Sequence, residues 1–372
     1  SLVMDAKPLS YNEHSYNKLY SDTSKLMIAR ALLEKGGPQN TNLAILQKLT
    51  QTYFASRDFN GGASIAELGL QTGQNDNVFH SWALYNNAMS ARIAFRSTEN
   101  RDTIAGMQAV EKAMVSVEWF KNHLDKMEFL DYVYTGVTYL EGKKYQEAKN
   151  AFENALEHYT MSIGRNFQTD SLDIYRNIAE CISNDKSLDL LDRAAKQKAL
   201  IQETASFGPS FRVELLQDLA KTYEVIGRST DYTEMERLMA YAAADSTWTT
   251  LQTMIDDGEY ELPERYSHYQ FFFSKGTVRR NMDNIDKERI FMTTIEYYEE
   301  LVSKLENLPH LRPDENKNLI IALTRLVIYF NKLKDPKVGY YAKMWMDLDD
   351  SIDKENLKSL RNIVKRYGSK HP

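Results

Sequence analysis

Residues 132–156 read YVYTGVTYLEGKKYQEAKNAFENAL, and this stretch decides the fold. Gly136 is followed at +3 by Tyr139, at +6 by Gly142, at +9 by Tyr145, at +12 by Ala148, at +16 by Phe152 and at +19 by Ala155. Apolar residues recur at helical spacing on both sides of Gly142-Lys143-Lys144, so the stretch predicts two helices joined by a tight turn. Its small residues let the two helices approach closely. Its Tyr and Phe fill the space between neighbouring hairpins.

This spacing resembles that of the tetratricopeptide repeat, a helix–turn–helix unit of about 34 residues that stacks into a solenoid. The resemblance implies an all-α chain: a right-handed α-solenoid of about seven such hairpins with a C-terminal capping helix. Working outward, nearly every stretch shows apolar residues at i, i+3, i+4 and i+7, and none alternates convincingly with period 2. A first helix is expected over 15–34, stopped by Gly36-Gly37-Pro38. Helix pairs are expected at 42–56 with 60–72, 77–96 with 102–121, and 124–141 with 145–160. Further pairs follow at 170–183 with 187–204, 211–227 with 232–250, 263–276 with 285–306, and 315–333 with 337–347. A helix over 352–367 closes the array.

The position of Tyr139 is taken by Tyr53, Met89, Ile182, Tyr223 and Tyr329 in the other pairs. The first four of these and Tyr139 are spaced 36, 50, 43 and 41 residues apart in chain order, so the repeat is stretched by longer helices and connections. Residues 15–367 read as one array, with a bend expected at the acidic stretch 256–264 before Pro263. Residues 1–14 form a leader behind Ser1-Leu2, an implausible natural start, and 368–372 form a tail.

Composition narrows the function. Of 372 residues, 42% are hydrophobic and 26% charged, which fits a folded chain. Pro is scarce at 8, which favours long helices, and Tyr is frequent at 23. A net charge of −6 argues against a general nucleic-acid binder, which needs a basic face for phosphates. No run of 18 apolar residues exists, so no membrane span is expected within the chain. Cys181 is the single cysteine, which excludes an internal disulfide, a Cys-based zinc site and a CxxC pair. Its place in IAECIS puts it on an apolar helical stripe.

Catalytic and cofactor motifs are missing. None of His14, His80, His123, His158, His268, His310 and His371 stands in HExxH or in a ligand-spaced cluster. There is no phosphate-binding glycine loop and no GxSxG. Neither catalytic nor metal residues are assigned, and no cofactor is expected. Asp347-Leu348-Asp349-Asp350-Ser351-Ile352-Asp353 opens like a calcium loop, but Ile352 and Lys358 hold the places that need Gly and Glu. The stretch is read instead as a cap on the final helix, by Asp350 or Ser351, with Asp353 and Glu355 near its positive end. In that helix Leu357, Leu360, Val364 and Tyr367 line up beside Arg361, Lys365 and Arg366, which suits a terminal cap; an amphipathic helix lying on a membrane is the other reading.

The resemblance implies where a ligand sits. In tetratricopeptide solenoids the first helix of each pair lines the concave surface, which binds an extended peptide or a partner helix. Carried across in register, the inward positions are Gln47, Gln51 and Phe54, then His80, Asn87 and Ser90, then Leu130, Val133, Val137 and Leu140. Gln217, Lys221 and Glu224 line a later pair. Amides donate and accept at once and so match an extended backbone. The chaperone-binding variant needs a lysine where this chain has Gln47 or Ala83, so that specificity is not expected. Five aromatics in eight residues, among them Tyr266, Tyr269 and Phe272, mark a candidate second interface.

Irregular Tyr-, Asn- and Lys-rich arrays of this length resemble the sensory or scaffolding regions of bacterial signalling proteins. The resemblance implies a non-enzymatic module with a protein or peptide partner, leaning to an extracytoplasmic place within a longer protein. A free-standing cytosolic regulator is the alternative, and a lipid-anchored glycan-binding protein is a third reading that four Trp and eight Pro count against.

Overall fold

A computed structural model of the chain describes residues 43–71, 77–159, 167–286 and 292–369. The described residues are all-helical, with fifteen α-helices and one short 3-10 turn at Leu124–Lys126. The helix expected at 15–34 lies outside them. The chain divides into two compact units, residues 1–186 and 187–372. The division falls between 170–183 and 187–204, which the sequence reads as one pair.

In unit 1 the helices are α1 Leu43–Ala55, α2 Phe59–Gln71, α3 Asn77–Arg96, α4 Thr103–Lys121, α5 Phe129–Glu141, α6 Tyr145–Glu157 and α7 Phe167–Asn184. Each packs on its successor, and α1, α3, α5 and α7 also pack on one another in series, skipping the helix between. That alternation is the stacking expected of helical hairpins. The crossing of α5 and α6 is set by Gly136, where an added Cβ would stand 2.6 Å from the Phe152 ring. Phe152 is fully buried there.

In unit 2 the helices are α8 Leu190–Glu203, α9 Pro209–Arg228, α10 Glu234–Asp256, α11 Gln270–Ile285, α12 Met292–Leu305, α13 Pro313–Leu333, α14 Lys337–Leu348 and α15 Lys354–Tyr367. Consecutive helices again pack together, and α9 also meets α11. Gly227 repeats the role of Gly136, with a Cβ 2.6 Å from the Tyr241 ring on α10. The apolar stripe of α15 is used inside the unit: Leu360 is buried, and Ile363, Val364 and Tyr367 pack on the same cluster as Phe330 and Tyr341. Asp353 caps this helix, accepting from the amides of Glu355 (3.0 Å) and Asn356 (2.8 Å). The cap therefore lies beyond Asp350 and Ser351; Ser351 instead folds back on Asp349.

Three hairpins close with the same turn, and this identity of geometry is the repeat itself. Arg57, Lys143 and Lys334 take left-handed φ values of 63°, 59° and 57°. The amide before each following segment reaches back across the turn: Asp58 to the Tyr53 carbonyl (2.9 Å), Lys144 to that of Tyr139 (2.8 Å), Asp335 to that of Phe330 (2.9 Å). Both features define a Schellman motif. The equivalence of Tyr53 and Tyr139 thus holds. In the last hairpin the anchor is the buried Phe330, one residue past Tyr329, which is only half-buried.

Helix ends move where sequence signals are weak. Residues 124–128 form a turn before α5 rather than part of it, because the Asp131 side chain accepts from the Glu128 amide (2.8 Å) and fixes the start there. The α10 helix runs six residues past the expected 250, and α11 begins seven residues after 263.

Candidate functional site

The serial packing of α1, α3, α5 and α7 gives unit 1 a face built only from the first helices of its hairpins. Its centre is aromatic. Phe54 of α1 meets Trp82 (ring centroids 5.6 Å apart) and Tyr85 (6.4 Å) of α3 and Tyr134 (5.8 Å) of α5. Tyr85 and Tyr134 lie 4.6 Å apart. Phe54 and Tyr85 are buried, while Trp82 and Tyr134 are half-buried and reach the surface. Edge-to-face rings at these separations add attraction beyond their burial and fix three helices against one another.

Beneath this cluster the Tyr85 hydroxyl donates to Asp131 Oδ1 (2.7 Å), and Asp131 also holds the Glu128 amide. Burial pushes the Asp131 carboxyl above its ordinary value, against hydrogen bonds from Ser81, the Glu128 amide and Tyr85 that pull it down. Burial, together with the Asp131 charge, also pushes the Tyr85 phenol well up. The pair is a buried hydrogen-bonded strut between α3 and α5.

The other end of the face is charged. Arg92 and Arg96 of α3 both reach Glu141 of α5, at 2.9 and 2.8 Å. Arg92 Nη2 continues to Asn177 Oδ1 (2.8 Å) and Arg96 to Glu180 (2.9 Å), both on α7. Between the two ends, Trp82, Met89, Ile93 and Arg96 follow one stripe of α3. Ile93 is 49% exposed on it.

The expected groove residues divide by helix. Gln47 and Gln51 are half-buried on the stripe of α1 that ends in Phe54. His80, Asn87 and Ser90 lie on other sides of α3. His80 stacks on Trp119 of α4 (4.2 Å) with Nδ1 3.4 Å from Ser116 Oγ, Asn87 is buried and bonds the Ala83 carbonyl, and Ser90 donates to Asn60 of α2 (3.0 Å). The longer α3 has shifted register relative to α5, so positions counted from Met89 point toward neighbouring helices. Leu130 and Val133 are half-buried, whereas Val137 and Leu140 are core. In unit 2, Gln217 is half-buried and Lys221 exposed on α9, while Glu224 accepts from Trp248 of α10 (2.9 Å). Tyr134, Arg92, Glu141 and Asn177 carry no signal in the sequence; only their convergence across helices far apart in the chain marks them.

The second aromatic cluster, in unit 2, is largely core. Phe271 stacks toward Trp248 of α10 and Phe272 toward Tyr297 of α12, so adjacent positions of α11 serve different neighbours. Phe272 is 2% exposed and Tyr269 half-buried; Tyr266 is 40% exposed, with the Arg265 guanidinium 4.8 Å from its ring centre. Among the described residues no group of three or more His, Cys, Asp or Glu could hold a metal ion, and no helix is long and apolar enough to cross a membrane.

No protein-family model matches this chain, and no curated protein matches it in sequence. Among solved structures it is similar to the C-terminal part of a TPR repeat-containing protein from Cytophaga hutchinsonii. The identity is 13% and the TM-score 0.39, over 84% of this chain and 99% of that one. At that score the likeness adds nothing to what the hairpins and their turns already establish.

Proposed function

We propose that the chain is a non-enzymatic helical repeat that binds a protein or peptide on the first-helix face of unit 1. The observation that carries this reading is the surface strip on α3, where Trp82, Met89 and the exposed Ile93 run from the aromatic cluster to the Arg92–Glu141–Arg96 network. An apolar strip with a polar end is the composition of a peptide-binding surface. The amides of Gln47 and Gln51 border the aromatic end and can pair with an extended backbone. Ring faces at Trp82 and Tyr134 offer area at small entropic cost, since aromatic side chains have few rotamers to lose.

The finer reading places this module in the sensory or scaffolding region of a bacterial signal-transduction protein. Its support is the resemblance of the Tyr-, Asn- and Lys-rich array to such regions. Selection of displayed random peptides on the full chain tests the binding reading. Recovered sequences should share an apolar anchor, and competition with one synthetic member should displace the rest. A selection that converges on nothing, or on peptides indifferent to changes on α3, would contradict it.

A further inference from the structure

In unit 2 the C-terminal half of α11, the start of α12 and the middle of α13 enclose an open cleft of about 410 Å3. That lies within the roughly 300–1,000 Å3 typical of sites for small ligands. Its wall is polar. Arg280 comes from α11, Arg325 from α13, and Asn281, Asn284 and Tyr329 stand beside them.

The two arginines differ from their neighbour. Arg279 is neutralised by a bidentate pair with Asp245, at 2.7 and 2.8 Å. Among the described residues Arg280 is held by neutral acceptors, the Gly276 carbonyl (3.3 Å) and the Thr277 hydroxyl (3.2 Å). Arg325 has no carboxylate partner among the described residues. Both lie close to one buried phenol: burial pushes Tyr298 up, and the charges of Arg280 and Arg325 push it back. The cleft therefore concentrates positive charge. Thr294 adds a second sign of a missing partner. It is 1% exposed and lines the cleft, yet its Oγ1 has no hydrogen bond. Buried polar atoms are normally paired, so an unsatisfied hydroxyl facing a cavity points to a ligand atom. Its amide is already taken by Asp283 Oδ2 (2.9 Å).

We propose that this cleft binds a carboxylate, carried by a peptide or by a small organic acid. A planar guanidinium matches a carboxylate bidentately, and two of them converge here. Asp283 decides against a phosphate dianion: among the described lining residues, two guanidiniums against one carboxylate leave a single positive charge, which a singly charged ligand balances. A dianion would sit beside Asp283 with one charge uncompensated. The site lies within unit 2 and stands independently of the peptide surface in unit 1.

The test uses the 15N-labelled full chain and follows arginine Nε–Hε resonances during titration. Ligands are sodium propionate, acetyl-Ala-Glu-Ala-amide, its Gln counterpart and inorganic phosphate, at ionic strength held constant with sodium chloride. Propionate and the Glu peptide should give saturable shifts at Arg280 and Arg325. Either Arg280→Met or Arg325→Met should weaken binding about tenfold or more, and Arg325→Lys should not restore it. Tighter binding of the peptide assigns a peptide source, and equal binding a small acid; both uphold a carboxylate site. The proposal is overturned by a lack of saturation in the wild type, by equal binding of the Gln peptide, or by phosphate binding as tightly as propionate. Unchanged affinity in both Met variants would equally sink it. The wild-type titration answers even if a variant fails to fold.

Discussion

Gly136 and Phe152 touch so closely that a single added carbon on the glycine would stand 2.6 Å from the ring. This contact sets how near α5 and α6 come, and the spacing of the two residues is part of the pattern that the sequence displays most clearly.

Replacing Gly136 with Leu should force the hairpin apart or drive Phe152 off its rotamer, at about 1–3 kcal/mol or more. In a unit of this size each kcal/mol lowers Tm by about 2–4 °C. Phe152→Leu in the same chain should recover part of the loss, because the two changes act on one contact. Calorimetry on the single and double variants measures this; an unchanged Tm in Gly136→Leu would refute the packing described.

The turns make the opposite prediction. Lys143 and Lys334 hold left-handed conformations that L side chains adopt at a cost of about 1–2 kcal/mol. Both are exposed and sit where helices commonly end in Gly. Lys143→Gly and Lys334→Gly should each raise stability by about 0.5–1 kcal/mol, after the unfolded-state entropy of glycine is subtracted. Denaturant titration with unchanged slope would show it, and a loss in both variants would mean that the shared turn is wrongly described.

Asp131 gives a pH dependence whose sign is fixed by burial. Its carboxyl is raised above the ordinary 3.8 in the folded chain, so the folded state holds that proton more tightly than the unfolded one. The stability it contributes is present below 3.8 and is lost as pH rises through the folded value. Asp131→Asn should remove this fall while weakening the Tyr85 and Glu128 hydrogen bonds. The Tm gap between wild type and variant should therefore narrow from acid toward neutral pH. Parallel Tm–pH curves for the two proteins would contradict the assignment.

Cys181 should behave as an inert core thiol. It is 1% exposed, and burial pushes its pKa up to about 12. Thiolate is the reactive form, so modification by a disulfide reagent at mildly alkaline pH should be slow in the folded chain and complete after denaturation. Fast labelling of the native protein would show that α7 opens readily.

Much of the fold is legible in single residues. Gly136, Tyr139 and Phe152 announce one hairpin, and Tyr53 announces its equivalent, because a close crossing and a buried turn anchor each demand a particular side chain. Register across hairpins is not legible in the same way. α3 is longer than α5, and a helix turns by 100° for each residue added, so a small miscount from Met89 moves His80 from the groove to the Trp119 side. The candidate site suffers most, since Phe54, Trp82, Tyr85 and Tyr134 come together only through the serial packing of three helices. The local pattern also hid the divergence of Phe271 and Phe272, which adjacent helical positions send to different neighbours.

The most direct test of the peptide-binding account is the affinity of a selected peptide for Ile93→Asp. Ile93 is exposed, so the change should leave Tm nearly unchanged and report on the surface alone. A carboxylate on the apolar strip should weaken binding about tenfold or more, or about 1.4 kcal/mol. Equal affinity for wild type and Ile93→Asp, measured by fluorescence anisotropy, would place the peptide elsewhere and contradict the account.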